Sequence, residues 1–159
     1  MKQGLIQSVL VVSALLWVPG CGGTAADGPP KLLLGDAVCD ECGMIVSDER
    51  FATATVVEGP RGPEPRMFDD FNCQINYERA HAADVIVARW SHDYGTASWM
   101  PTEGAFFLRS PGLRAPMGSG VAAFATESDA QAALRAAEHA ETGEVLTFSA
   151  MRDALAPPG

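Results

Sequence analysis

"FATATVVEGPRGPEPRMFDDFNCQINYERAHAADVIVARW", running from Phe51 to Trp90, decides the fold. It opens on Phe51–Val57, an alternating and β-branched run that reads as a strand. The Gly/Pro-rich stretch 58–65 interrupts it as a turn, and Arg66–Phe68 leaves room for a short second strand. Asp69–His81 reads as a helix with an aspartate at its cap. Asp84–Trp90 then returns to an apolar strand. The same order recurs downstream: Gly104–Ser110 as a strand, a Gly/Pro loop, and Val121–Ala125 as a strand. A helix follows over Thr126–Ala140, opening on a Thr126-x-x-Asp129 capping pattern. Its apolar residues, Ala130, Ala133, Leu134 and Ala137, fall at the i, i+3, i+4, i+7 spacing of one helix face. Gly143 ends it, and Glu144–Ser149 reads as a strand. The prediction is an α+β domain, compact, made of two ββαβ modules and spanning 36–152, with a C-terminal tail over 153–159.

Upstream of the domain the chain reads as targeting and tether. Lys2 supplies a positive start, and Val9–Val18 is an apolar run too short for a stable membrane span. The small-residue "VPG" stands directly before Cys21, the arrangement of a lipoprotein signal (residues 1–20) whose cysteine receives the lipid. Lipid chains at Cys21 would hold the domain at a membrane surface. Residues 21–35 then form a flexible tether, rich in Gly, Pro and Ala near its start.

The 138 residues beyond Cys21 suffice for one ordinary domain. Of 11 Lys and Arg and 20 Asp and Glu, only Lys2 lies in the leader, so the rest carries a formal charge near −10. Lys31 is the one lysine of the mature chain. Nucleic-acid binding is excluded by this balance, because phosphate recognition needs a basic footprint. No hydrolase elbow, P-loop or dinucleotide fingerprint occurs.

Sulfur carries the chemistry. "VCDECGMIVSD", Val38 to Asp48, places Cys39, Cys42 and Met44 within six residues. With Cys21 lipidated, Cys39, Cys42 and Cys73 remain, an odd number for a disulfide framework. A redox pair wants a helix start after its cysteines, whereas "MIVS" suits extended structure, in which Cys42 and Met44 would share one side. Zinc wants four ligands, with Cys73 or a histidine completing them. Cu(I) prefers thiolates and thioethers and accepts few of them. On chemistry alone a Cys39–Cys42 disulfide ranks first, with copper and zinc after it. Met117, in the turn-rich "APMGSG", is less easily explained by core packing than a methionine in a strand. His92 lies just past a strand, where loops often carry function. His81 and His139 suit helix ends. Cys73 reads either as a small buried residue or as a third sulfur ligand favoured by its helix N-terminus.

Taken together, "CDECGMIVSDERFATATV", "FDDFNC", "SHDYGTASWMPTEGAFFLRS" and "PMGSGVAAFATESDAQA", in that order behind the lipobox, resemble the NosL family of nitrous-oxide reductase accessory proteins. The resemblance runs from about Asp36 to Ser149. It implies a periplasmic, lipid-anchored Cu(I) carrier rather than an enzyme. Its partner would be a membrane ABC-type copper-maturation complex and, through it, nitrous-oxide reductase. It also implies a fold related to that of organomercurial lyase. For metal ligands it implies Cys42 and Met44, with Met117, His92 and Cys39 as further candidates. The competing readings are a structural zinc-binding lipoprotein, a thiol–disulfide exchanger, and a metal–carbon lyase using Cys42, Cys73 and Asp69.

Overall fold

A computed structural model describes residues 28–137 and 142–156 of the 159-residue chain. The expected leader, the expected lipidation site at Cys21 and His139 lie outside the described residues. Ten elements follow one another: β1 Thr53–Gly59, β2 Gly62–Phe68, α1 Phe71–Ala80, β3 Ile86–His92, β4 Trp99–Pro101, β5 Phe106–Arg109, β6 Val121–Phe124, α2 Glu127–Ala136, β7 Glu144–Leu146 and α3 Phe148–Ala154. Two antiparallel sheets result, ordered β2-β1-β3-β4 and β6-β5-β7. Each module puts its first strand in the centre, its second on one side, and the strand after its helix on the other. The two ββαβ modules inferred from element order therefore repeat one sheet topology.

Several details depart from the sequence reading. The turn expected over 58–65 shrinks to Pro60 and Arg61, because Gly59 pairs with Gly62 and β2 runs the full length of β1. Pro63 and Pro65 fit in β2 because it is an edge strand, where a missing N–H costs no ladder bond. The strand expected over Glu144–Ser149 stops at Leu146. Thr147 caps α3 instead, accepting from the Ala150 N–H, and this helix runs to Ala154. Upstream of β1 the Gly35 N–H bonds the Val46 carbonyl. β4 has no counterpart in the sequence reading; it is three residues long and pairs with β3.

The modules share their core. Phe71 of α1 meets Phe107 of β5 edge-on at 5.3 Å, with Val121 and fully buried Met151 of α3 beside them. Phe51, ahead of β1, packs with Leu108 and Phe124 of the second sheet. Asp93 joins the sheets: it accepts from the Ala125 N–H at 2.8 Å, and the Tyr94 N–H reaches the Ala123 carbonyl. Burial pushes the Asp93 pKa up, but N–H and hydroxyl donors from Ala125, Thr96 and Gly95 outweigh it and leave the carboxyl below its usual value. No helix among the described residues is long and apolar enough to cross a membrane.

Candidate metal centre

Ahead of β1, residues 37–46 close into a tight hairpin. Val38 pairs with Ile45, the Val46 N–H bonds the Ala37 carbonyl, and the Cys39 N–H bonds the Met44 carbonyl at 2.8 Å. The chain reverses through Asp40–Gly43, where Gly43 has φ +74°, a value other residues adopt only with strain. The Gly43 N–H returns to the Cys39 carbonyl at 2.9 Å. Residues 44–46 run extended as the second arm of the hairpin, as expected after Cys42, but Cys42 itself lies in the turn, so Cys42 and Met44 do not stand as i and i+2 on one strand. In the hairpin register Met44 lies opposite Cys39. The hairpin is fastened to β2 by Asp40, whose N–H donates to the Met67 carbonyl and whose Oδ2 accepts from the Met67 N–H at 2.6 Å. It thereby occupies part of an otherwise open sheet edge.

The third sulfur comes from α1. Asp70 caps this helix, its Oδ1 accepting from the Asn72 and Cys73 N–H groups, which sets Cys73 in the first turn facing the hairpin. The Sγ atoms of Cys39, Cys42 and Cys73 all lie within 4.8 Å of one another. All three are free thiols, Cys39 and Cys73 buried and Cys42 at the surface. The disulfide that ranked first on chemistry alone is not formed.

A methionine packs beside them. Oδ2 of the same buried Asp70 accepts from the Met117 and Ser119 N–H groups at 3.1 and 3.0 Å. The Asn72 side-chain amide holds the Met117 carbonyl at 3.0 Å. One carboxylate thus fixes the start of the helix carrying Cys73 and the loop carrying Met117. Met117 packs on the cluster of Cys39, Phe68, Cys73 and Tyr77. Cys42, Cys73, Met117 and Asn76 line an open cavity of about 370 Å³.

The sulfurs are electrostatically unequal. The Cys39 thiol is pulled down to about 5, first by a hydrogen bond from Cys73; backbone N–H groups of Cys42, Asp69 and Glu41 add to this against the opposing effect of burial. Cys73 is pushed far up, first by donating that hydrogen bond, then by burial and by the neighbouring sulfurs. The apo site therefore holds a Cys39 thiolate accepting from a Cys73 thiol. Asp69 does not join the sulfurs as a carboxylate: its Oδ1 accepts from the Ser47 N–H and hydroxyl.

The residues singled out in the sequence separate accordingly. Cys39, Cys42 and Met117 converge. Met44 sits on the hairpin, 49% exposed. His92 stands outside the sulfur cluster. It is buried, with Nδ1 2.9 Å from the Ala52 carbonyl and its ring 3.7 Å from that of Trp99. Burial lowers its pKa and keeps it neutral. Cys73, weighed between packing and ligation, is brought to the centre; its place just inside an aspartate-capped helix was the signal available in the sequence.

Comparisons with known proteins agree with this architecture. A sequence model of the NosL family matches residues 30–156. No curated protein matches significantly. Among solved structures, a crystal structure described as the copper chaperone NosL from Shewanella denitrificans superposes with a TM-score of 0.56 at 15% identity, covering 76% of this chain and 96% of that one. At that identity the likeness speaks for the fold.

Proposed function

This chain belongs to the NosL family, and on that premise we propose that it is a Cu(I) carrier. Anchored through Cys21 on the periplasmic side of a bacterial membrane, it hands copper to a membrane ABC-type maturation complex and so to nitrous-oxide reductase. The observation carrying the reading is the convergence of three cysteine sulfurs within 4.8 Å, beside Met117. Three thiolates and a thioether form a soft donor set that favours Cu(I) over a hard cation. A thioether is a poor partner for structural zinc, which takes thiolate and imidazole nitrogen. Thiol–disulfide exchange fits less well, because the acidic thiol that would attack a substrate, Cys39, is 1% exposed.

Cys39 and Cys73 hold the cargo from inside, and Cys42 at the surface is the donor a partner's ligand reaches first. Replacement can begin there while the buried sulfurs still hold the ion, so copper passes without entering solvent. Met44, exposed on the same hairpin, offers a thioether outside the pocket. No substrate bond is made or broken. The test is a Cu(I) titration of the reduced protein against a competing chelator. Near-stoichiometric binding is expected, weakened at least about tenfold in Cys42→Ser. Binding unchanged in Cys39→Ser, Cys42→Ser and Met117→Leu, or a preference for Zn(II), would overturn the reading.

A further inference from the structure

Five of the large hydrophobic side chains left exposed among the described residues fall in thirteen consecutive positions: Leu33 51%, Leu34 51%, Val38 54%, Met44 49% and Ile45 55%. They do not dangle. The Leu33 carbonyl accepts from the Asp36 and Ala37 N–H groups, the Gly35 N–H from the opposite side bonds Val46, and Val38 pairs with Ile45. One folded arm therefore presents them, the arm that also carries Cys39 and Cys42. Exposed apolar groups gathered in this way mark an interaction surface.

Charge identifies the occupant. Between Leu33 and Glu49 there are five carboxylates, Asp36, Asp40, Glu41, Asp48 and Glu49, and no Lys or Arg. Asp36, Asp40 and Glu41 are exposed, interleaved with the apolar side chains. An anionic bilayer surface would be repelled by such a rim, and a second copy would bring like charge against like. The matching surface is a protein with an apolar centre and a Lys/Arg rim. We propose that the Leu33–Ile45 arm is the face on which the copper acceptor docks, an acceptor of that chemistry in the periplasmic part of the maturation complex. The inference rests on the carrier reading. It adds that the surface-lying Cys42 is covered by the docked partner, so exchange takes place inside a water-excluding apolar ring.

The experiment uses the protein with Cys21→Ser, which removes the lipid anchor that would hold the chain on any nanodisc, and the purified maturation complex in nanodiscs of zwitterionic lipid. Val38→Ser/Ile45→Ser alters two exposed positions that supply no metal ligand, and Asp36→Lys alters the rim alone. The wild type is expected to bind the complex, more weakly as salt rises. Each variant should bind at least about tenfold more weakly while loading Cu(I) as the wild type does. Wild-type affinity in both variants, no wild-type binding, equal binding to empty nanodiscs, or self-association abolished by Val38→Ser/Ile45→Ser would overturn the proposal. Failure of the carrier reading shows separately, as absent Cu(I) loading in the wild type.

Discussion

Asp70 does the most with a single side chain. It is fully buried, and its two oxygens divide four backbone N–H donors between the first turn of α1 and the Met117 loop. Charge-assisted bonds of this kind are strong and directional, so the separation of Cys73 from Met117 is set before any metal arrives. The thiols beside it give a pH signature. Cys73, whose pKa is raised, must lose its proton to ligate, so copper loading releases that proton and the affinity rises with pH. Cys39, lowered to about 5, is already a thiolate at neutral pH and adds no further proton there. Below that value it too must be deprotonated. The slope of log affinity against pH is therefore expected to steepen as pH falls through about 5. Chelator competition across that range in the wild type and Cys39→Ser checks this; an unchanged slope would show that Cys39 is not a ligand. Stability responds differently. A buried neutral His92 with a lowered pKa favours the folded state fully above the unfolded value of 6.5, and that contribution is lost as pH falls below it.

The hairpin is the element on which the site depends. Gly43 has open space where a Cβ would go, so the obstacle to substitution is the backbone alone, held at φ +74°. Gly43→Val is expected to destabilise the protein by about 1–2 kcal/mol and to weaken Cu(I) binding through displacement of Cys42. Thermal melts and titration of the same variant check both effects, and an unaltered copper affinity would mean that the turn does not position the ligand. This turn also marks the limit of what the sequence reveals. Strand–helix–strand order follows from periods of two and 3.6, and both helix caps, Asp70 and Thr126, were legible because their side chains bond locally. The reach of β2 was not, since edge position, a tertiary fact, makes its prolines tolerable. Nor was α3, whose Thr147 cap sits within a run that reads equally well as a strand. Cys39 and Cys42 were visible as a pair and Cys73 as a thiol just inside a capped helix, but their meeting depends on the packing of α1 on β1 and β2. His92 shows the converse: its place at a strand end suggested function, and burial against Trp99 accounts for it structurally.

At the scale of the molecule, the four sulfurs belong to three segments far apart in sequence: the hairpin, α1, and the loop between β5 and β6 of the second module. The site exists only when the modules are packed, with Phe71 on Phe107 and Asp93 on Ala125 holding them. A ligand that binds only the folded state stabilises it, so Cu(I) is expected to raise the melting temperature as well as occupy the site. The central claim, that copper is held by sulfur drawn from all three segments, is tested most directly by X-ray absorption on the Cu(I)-loaded protein. The first shell is expected to hold sulfur alone, losing one sulfur in Cys73→Ser and another in Met117→Leu. A nitrogen scatterer in that shell, absent in His92→Gln, together with an unchanged spectrum for Cys73→Ser, would contradict it.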